Sequence, residues 1–255
     1  MEYKILKGSV VGYKNILKNK GSQDYVEYKK INNGVICTVA DGHSTDYFEY
    51  SDEGAKFACE VAIEVLESYV DEDGLELALK ESEVQQLICN RWNKRVEDHY
   101  KSIYPIVFKT EYIKYSTTLT AVVITEKFRA YLKIGDGSIV LKENNNYKKI
   151  IDNNASQKII DSIGREGSYK NIYYKFDEIN NDENNLQWVI LFSDGYDNSF
   201  MTKTDLYESI ENTIYKYDKS IFSRMMLIKG YKNYLSLLSE NISKDDISII
   251  FIGIN

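Results

Sequence analysis

The sequence predicts an α+β fold, with antiparallel sheets and pairs of helices packed outside them. Two observations carry this. Short β-branched, apolar runs and amphipathic stretches follow one another as strands, two helices, strands, two helices and a closing strand, the order expected when helices cover antiparallel sheets. Several of the runs also stop at an Asp next to a Gly, a pairing that favours turns.

In chain order, Val35 to Ala40 is the first clear strand. Ser51 is placed to cap a helix with Asp52 and Glu53 in its first turn and an apolar stripe of Ala55, Ala58, Ala62, Val65 and Leu66. A second helix is predicted from about Glu76 to Lys101, because Leu87, Ile88, Trp92, Val96 and Tyr100 recur at helical spacing. Tyr115 to Leu141 reads as consecutive strands, with Thr117 to Thr125 and Phe128 to Ile134 joined by a tight Glu126-Lys127 turn. Lys170 to Phe176 and Gln187 to Ser193 are further strands, Asp205 to Tyr217 and Ser223 to Leu238 are helices, and Ile247 to Ile254 closes the chain as a buried strand. The Asn-rich patches at Asn144 to Asn146 and around Asn180 to Asn185 read as loop tips. The only proline is Pro105, no linker or internal repeat divides the chain, and residues 1–255 are expected to form one domain.

Composition excludes several classes. A hydrophobic content of 43% over 255 residues supports a real core. A formal charge of −7 with scattered Lys and Arg argues against a general nucleic-acid binder. Cys37, Cys59 and Cys89 are odd in number and lack C-x-x-C spacing, so neither a disulfide framework nor a cysteine zinc site is indicated, and a reduced cytoplasm fits best. Met1 to Val11 carries Glu2, Lys4 and Lys7 and is not a signal peptide. No stretch approaches the roughly 18 apolar residues of a membrane span.

The acidic residues at the run ends carry the chemistry. Asp41-Gly42-His43 follows the Val35 run, Gly135-Asp136 follows Arg129 to Ile134, Asp194-Gly195 follows Trp188 to Ser193, and Asp245-Asp246 precedes Ile247. Any one of these is ordinary turn chemistry. If three strands end and a fourth begins at one edge of a sheet, the carboxylates converge there, and a hard divalent cation would hold them together.

Gly21-Ser22-Gln23-Asp24, Ala40-Asp41-Gly42-His43, Ser116-Thr117-Thr118-Leu119, Gly135-Asp136-Gly137-Ser138, Ser193-Asp194-Gly195 and Asp245-Asp246-Ile247-Ser248 occur in one series. That series resembles the ordered motifs of the metal-dependent protein phosphatases of the 2C type, in a bacterial form, from about Gly8 to Ile252. The resemblance implies a four-layer α-β-β-α sandwich of two antiparallel sheets flanked by helix pairs. It also implies two Mn²⁺ or Mg²⁺ ions and a weaker third. Asp41 would bridge two metals with the Gly42 carbonyl beside it, Asp194 and Asp245 would complete the cage, Asp24 would act on the second metal, and Asp136 would hold the third. His43 would protonate the leaving alkoxide.

The chain departs from the family pattern in places. Gln23 stands where many members carry Glu, Asn198 occupies the partner position of the third metal, and no Arg precedes Arg91 to clasp the substrate phosphate. Lys18 or Lys20 would supply point-charge attraction, or are solvated surface lysines. Asp246 is given no direct role, and His99 is read as a helix-surface residue. The resemblance implies a serine/threonine protein phosphatase that uses a metal-bridging hydroxide, acts as a monomer on the targets of a Ser/Thr kinase and needs neither nucleic acid nor membrane. The alternative is a catalytically weak module that binds phosphoproteins.

Overall fold

The computed structural model describes residues 3–70, 74–106, 109–144, 146–152, 161–179 and 185–254. The first half runs β1 (Tyr3–Val10), α1 (Tyr13–Ile16), β2 (Asp24–Ile31), β3 (Gly34–Asp41), α2 (Ser51–Ser68), α3 (Leu75–Lys80) and α4 (Glu83–Ile103). The second half runs β4 (Leu119–Thr125), β5 (Phe128–Ile134), β6 (Ser138–Glu143), β7 (Asn146–Ile150), β8 (Tyr173–Glu178), β9 (Leu186–Phe192), α5 (Asp194–Asp197), α6 (Lys203–Lys219), α7 (Ile221–Leu238) and β10 (Ile247–Ile254). One sheet has the order β1-β10-β9-β6-β7 and the other β2-β3-β4-β5-β8. Every pairing is antiparallel.

Strand alternation sorts the core into layers. Val35, Cys37 and Val39 face the other sheet and meet Val189, Leu191, Ile250 and Ile252, while Ile36 and Ala40 face outward onto Ala55, Ala58, Ala62 and Trp92 of α2 and α4. On the opposite side Ile190, Phe192, Ile249 and Phe251 pack against Leu206, Ile210 and Ile214 of α6 and Tyr231 and Leu235 of α7. Central strands such as β3, β4, β9 and β10 are covered on both faces and read as nearly unbroken apolar runs, whereas the edge strands β1, β2, β7 and β8 are interrupted by polar residues. The result is the expected helix, sheet, sheet, helix stack.

Several local expectations change. The helix predicted from Glu76 to Lys101 breaks at Ser82, whose φ is +63°. The break lets Leu79 and Val84 both reach the core, and Gln85 Nε2 donates to the Leu79 carbonyl at 3.0 Å. Ser51 is the first residue of α2 and not its cap; its buried hydroxyl donates to the His43 carbonyl at 2.9 Å. Lys170 belongs to a 3-10 turn (Ser168–Asn171), and the strand starts at Tyr173. Asn144 has a φ of +47°, as a loop-tip Asn can. Asn145 and positions 180–184 lie outside the described residues. Cys37, Cys59 and Cys89 are buried free thiols. Among the described residues no helix is long and apolar enough to cross a membrane.

Candidate metal centre

The acidic residues do not come from one sheet edge, as the strand pattern suggested. β3 and β5 run parallel to each other and end together, delivering Asp41 and Asp136, while β9 ends and β10 begins at the adjoining end of the other sheet, delivering Asp194, Asp245 and Asp246. Asp24 opens β2 directly across from Asp41. The two sheet ends are stitched together where Ser193 Oγ donates to Asp24 Oδ2 at 2.7 Å.

Backbone contacts fix the loop that carries His43. The Asp41 carbonyl accepts from the Thr118 amide at 2.9 Å and from Thr117 Oγ1 at 3.0 Å, and the Asp41 amide donates to Thr118 Oγ1 at 3.0 Å. The Gly42 amide donates to the Gln23 carbonyl at 3.0 Å. A side chain at Gly42 would place its Cβ 2.6 Å from the Ser51 carbonyl oxygen, so the approach of α2 requires glycine. The same holds at Gly195, where a Cβ would lie 1.9 Å from the Asp246 carbonyl.

Asp246 is the buried organiser of the site. Its carboxylate accepts from the Gly12 amide, from the Gln23 amide at 2.7 Å and from Asn15 Nδ2 at 3.0 and 3.1 Å. It thereby clamps α1 and the Gly21 to Asp24 turn onto the start of β10. Gln23 in turn donates through Nε2 to Ser51 Oγ at 3.0 Å and to the His43 carbonyl at 3.2 Å.

The remaining carboxyls are electrostatically frustrated. Burial, then the Asp246 charge, holds the Asp24 pKa well above the usual carboxylate range. Burial and the neighbouring Asp24 and Asp194 charges do the same to Asp41. The Asp194 charge adds to the upward pressure on Asp41 from across the two sheet ends. Asp194 is pushed up to about 6 by burial and by Asp136, and Asp136 is itself raised by burial. Asp24 Oδ1, Gln23 Oε1 and His43 Nε2 are buried with no hydrogen-bond partner. Oxygen donors crowded together, raised in pKa and left unpaired are what a hard divalent cation fits.

These carboxyls gather at one end of the sandwich without converging on one point. Among the described residues no three His, Cys, Asp or Glu side chains surround one point closely enough to hold an ion. The reason is visible in the partners: Asp24 leans to Ser193, and Asp245 pairs with Lys14 Nζ at 2.6 Å. Burial works against the Lys14 ammonium, yet the Asp245 carboxylate outweighs it and its pKa is raised.

Two cations were missed in the sequence. Lys14, rather than Lys18 or Lys20, is the early cation that reaches the carboxylates, carried there by the turn that Asp246 clamps. Lys20 instead pairs with the exposed Asp46 at 2.6 Å. Arg165 is exposed, and its charge is felt at His43, whose pKa is lowered by burial first and by Arg165 second, against the opposing pull of Asp136. Arg165 lies two residues beyond Ile163, which bridges to Thr117, which in turn bridges to Gly42. No local motif marks either residue, because loop pairings far apart in sequence bring them to the site.

Three further placements follow. His43 packs its ring 4.6 Å from that of Phe48. Asn198 Nδ2 donates to Asp194 Oδ2 at 3.1 Å, and Asp197 turns away to Lys149 at 2.8 Å. His99 is not a free surface residue; its Nδ1 lies 2.8 Å from Tyr115 Oη, and its ring sits among Tyr50, Phe57 and Tyr115.

Two antiparallel sheets between helix layers, with acidic loops gathered at one end, define a metal-dependent phosphatase architecture. The family model of protein phosphatase 2C matches residues 11–226, and the chain belongs to that family. Its fold is similar to the serine/threonine phosphatase Stp1 from Staphylococcus aureus (14% identity, 100% of this chain and 96% of that one, TM-score 0.64). It is also similar to the Mycobacterium tuberculosis phosphatase PstP/Ppp (16% identity, 100% of each chain, TM-score 0.61). A third similar structure is the catalytic domain of PstP in complex with two manganese ions (15% identity, 98% of this chain and 97% of that one, TM-score 0.61). No curated protein matches in sequence.

Proposed function

We propose that this phosphatase hydrolyses phosphoserine and phosphothreonine in proteins, as a single unit spanning residues 1–255, with Mn²⁺ or Mg²⁺ held by Asp24, Asp41, Asp194 and Asp245. The observation that carries the reading is the buried Asp24, its Oδ1 unpartnered, among half-buried, mutually repelling carboxyls. Bound there, the divalent ions would supply a strong nucleophile from water at neutral pH and offset the phosphoryl charge. The Gly42 carbonyl stands beside Asp41 as a further oxygen donor. Asp136 would hold a third ion weakly, since the side chain four residues after Asp194 is the amide of Asn198 and not a second carboxylate.

The chain's own residues do the rest. His43 Nε2 has no protein partner, so it is the ring atom from which a proton passes to the departing seryl or threonyl oxygen. Burial lowers the His43 pKa, with Asp136 opposing it and Arg165 adding to it, so the proton this step needs is held against the net shift by Asp136. Arg165 and Lys14 provide positive charge for the phosphate in place of an early arginine. A phosphoprotein modified by a Ser/Thr kinase is the substrate, the enzyme is a monomer, and the free thiols suit the cytoplasm. Gln23 and the Lys14–Asp245 pair favour a second reading, a weakly catalytic phosphoprotein-binding module.

Mn²⁺-dependent phosphate release from a phosphopeptide separates the two readings, since a binding module gives none. His43→Ala then tests the acid. General acid catalysis contributes about 10²- to 10⁴-fold, so phosphopeptide hydrolysis should slow by that much, and p-nitrophenyl phosphate, with its good leaving group, far less. An equal loss on both substrates removes His43 from proton transfer.

A further inference from the structure

The α6–α7 layer carries a surface that the phosphatase reading does not use. α7 contains no acidic residue and is apolar nearly all round, yet only Tyr231 and Leu235 are buried along it. Phe222 and Met226 are 74% and 56% exposed and face a groove of about 900 Å³ between α7 and the end of α6. Tyr215 and Leu227 also line this groove, and at Gly230 a Cβ would meet nothing within 4 Å, which leaves room for an incoming chain. Ile221, Met225 and Ile228, at 76%, 63% and 53% exposure, continue the apolar surface on the other flank at helical spacing.

Topology puts this groove far from the carboxylates. β10 starts at the acidic end, and Tyr3 and Lys4 pair with its finish at Ile254 and Gly253. Lys4 Nζ is 2.8 Å from Asp218, next to the α6–α7 corner, and Tyr217 of α6 packs edge-on against Trp188 near the start of β9. Whatever occupies the groove stays clear of the carboxylate end.

Charge selects the occupant. The chain carries a net −7, but the groove is lined by Lys216 and Lys219 and by no acidic residue. A second copy laid face to face would set the same lysines against each other. A bilayer is a poor match for a concave channel, and an anionic one would repel the rest of the molecule. A helix with an apolar stripe and acidic flanks fits both features, since methionines adapt to the side chains they receive and Lys216 and Lys219 meet the flanks.

We propose that the α6–α7 groove docks an acidic amphipathic helix of a partner protein, tethering the phosphatase by the end opposite its active site. The test uses full-length protein and a fluorescent synthetic helix of about 20 residues with leucines along one face and glutamates elsewhere, read by anisotropy. Binding should weaken with added salt, and a matched peptide with lysines for glutamates should bind at least about tenfold more weakly. Met226→Asp should abolish binding while Mn²⁺-dependent p-nitrophenyl phosphate hydrolysis stays intact, which also reports that the variant is folded. The double variant Lys216→Glu, Lys219→Glu should reverse the peptide preference. Equal binding of the two peptides, or none, overturns the proposal. So does Met226-dependent sedimentation with phosphatidylserine vesicles, or Met226-dependent dimerisation, in the absence of peptide binding.

Discussion

The two ends of the sheet β1-β10-β9-β6-β7 are built on opposite compromises. At one end Asp194 sits among other carboxyls with its pKa driven up to about 6, and Asp24, reaching over from β2 of the other sheet, keeps a buried oxygen without a partner. At the other end the α6–α7 corner shows solvent Phe222, Ile221 and Met225. Folding alone would neutralise the first and polarise the second. One end concentrates buried charge that asks for a cation; the other exposes apolar surface that asks for a chain. The middle of the sheet, where Ile190, Ile249 and Phe251 are closed off from water, asks for nothing.

The comparison breaks first at the acidic end. Asp41→Asn or Asp194→Asn conserves shape and removes the charge of a proposed metal ligand, so activity at limiting Mn²⁺ should fall by more than about 10²-fold, while the metal-free protein melts higher because repulsion is relieved. Near wild-type turnover in either variant would remove that residue from the metal site. Next, Mn²⁺ at a hundredfold excess over its Kd should add about 2.7 kcal/mol of stability, and chelator should reverse the gain in melting temperature. Identical melting curves with Mn²⁺ and with chelator would mean that the acidic end holds no native metal.

A pH series sharpens the point. The folded pKa of Asp194 lies above its ordinary value, so the folded state binds the extra proton. Its stabilising contribution is complete below the unfolded pKa and is lost as pH rises from about 4 through about 6. The rise is from the ordinary 3.8 to about 6; discounted for partial solvent screening it is on the order of 2 kcal/mol. Urea unfolding in chelator should show that decline, and Asp194→Asn should flatten it; a variant that keeps the full decline would move the effect to other groups. The smallest effect belongs to the far end. Phe222→Ser should change stability by no more than about 0.5 kcal/mol and leave phosphatase activity alone, because that ring packs on little. A large loss in either would show that the groove is part of the working core.

The layers and their order could be read from the sequence. Unbroken apolar strands such as Val35 to Ala40 and stripes such as Ala55 to Leu66 report local periodicity, and periodicity is a property of neighbours along the chain. The acidic ligand candidates were legible for the same reason, since each stands at the end of a run. The break at Ser82 was not, because a left-handed residue there is set by where Leu79 and Val84 must point in the assembled core.

The sequence by itself determined which residues carry acid, imidazole and apolar faces. Only the tertiary structure decided that the carboxylates come from two sheets rather than one, that Asp246 clamps the N-terminal loops, and that Lys14 and Arg165 are cations near the acidic end. It also decided that α7 packs few of its side chains. The physical reason is common to all of these: each depends on distances between segments up to 234 positions apart, as between Gly12 and Asp246, and long-range proximity follows from packing, on which the local pattern is silent.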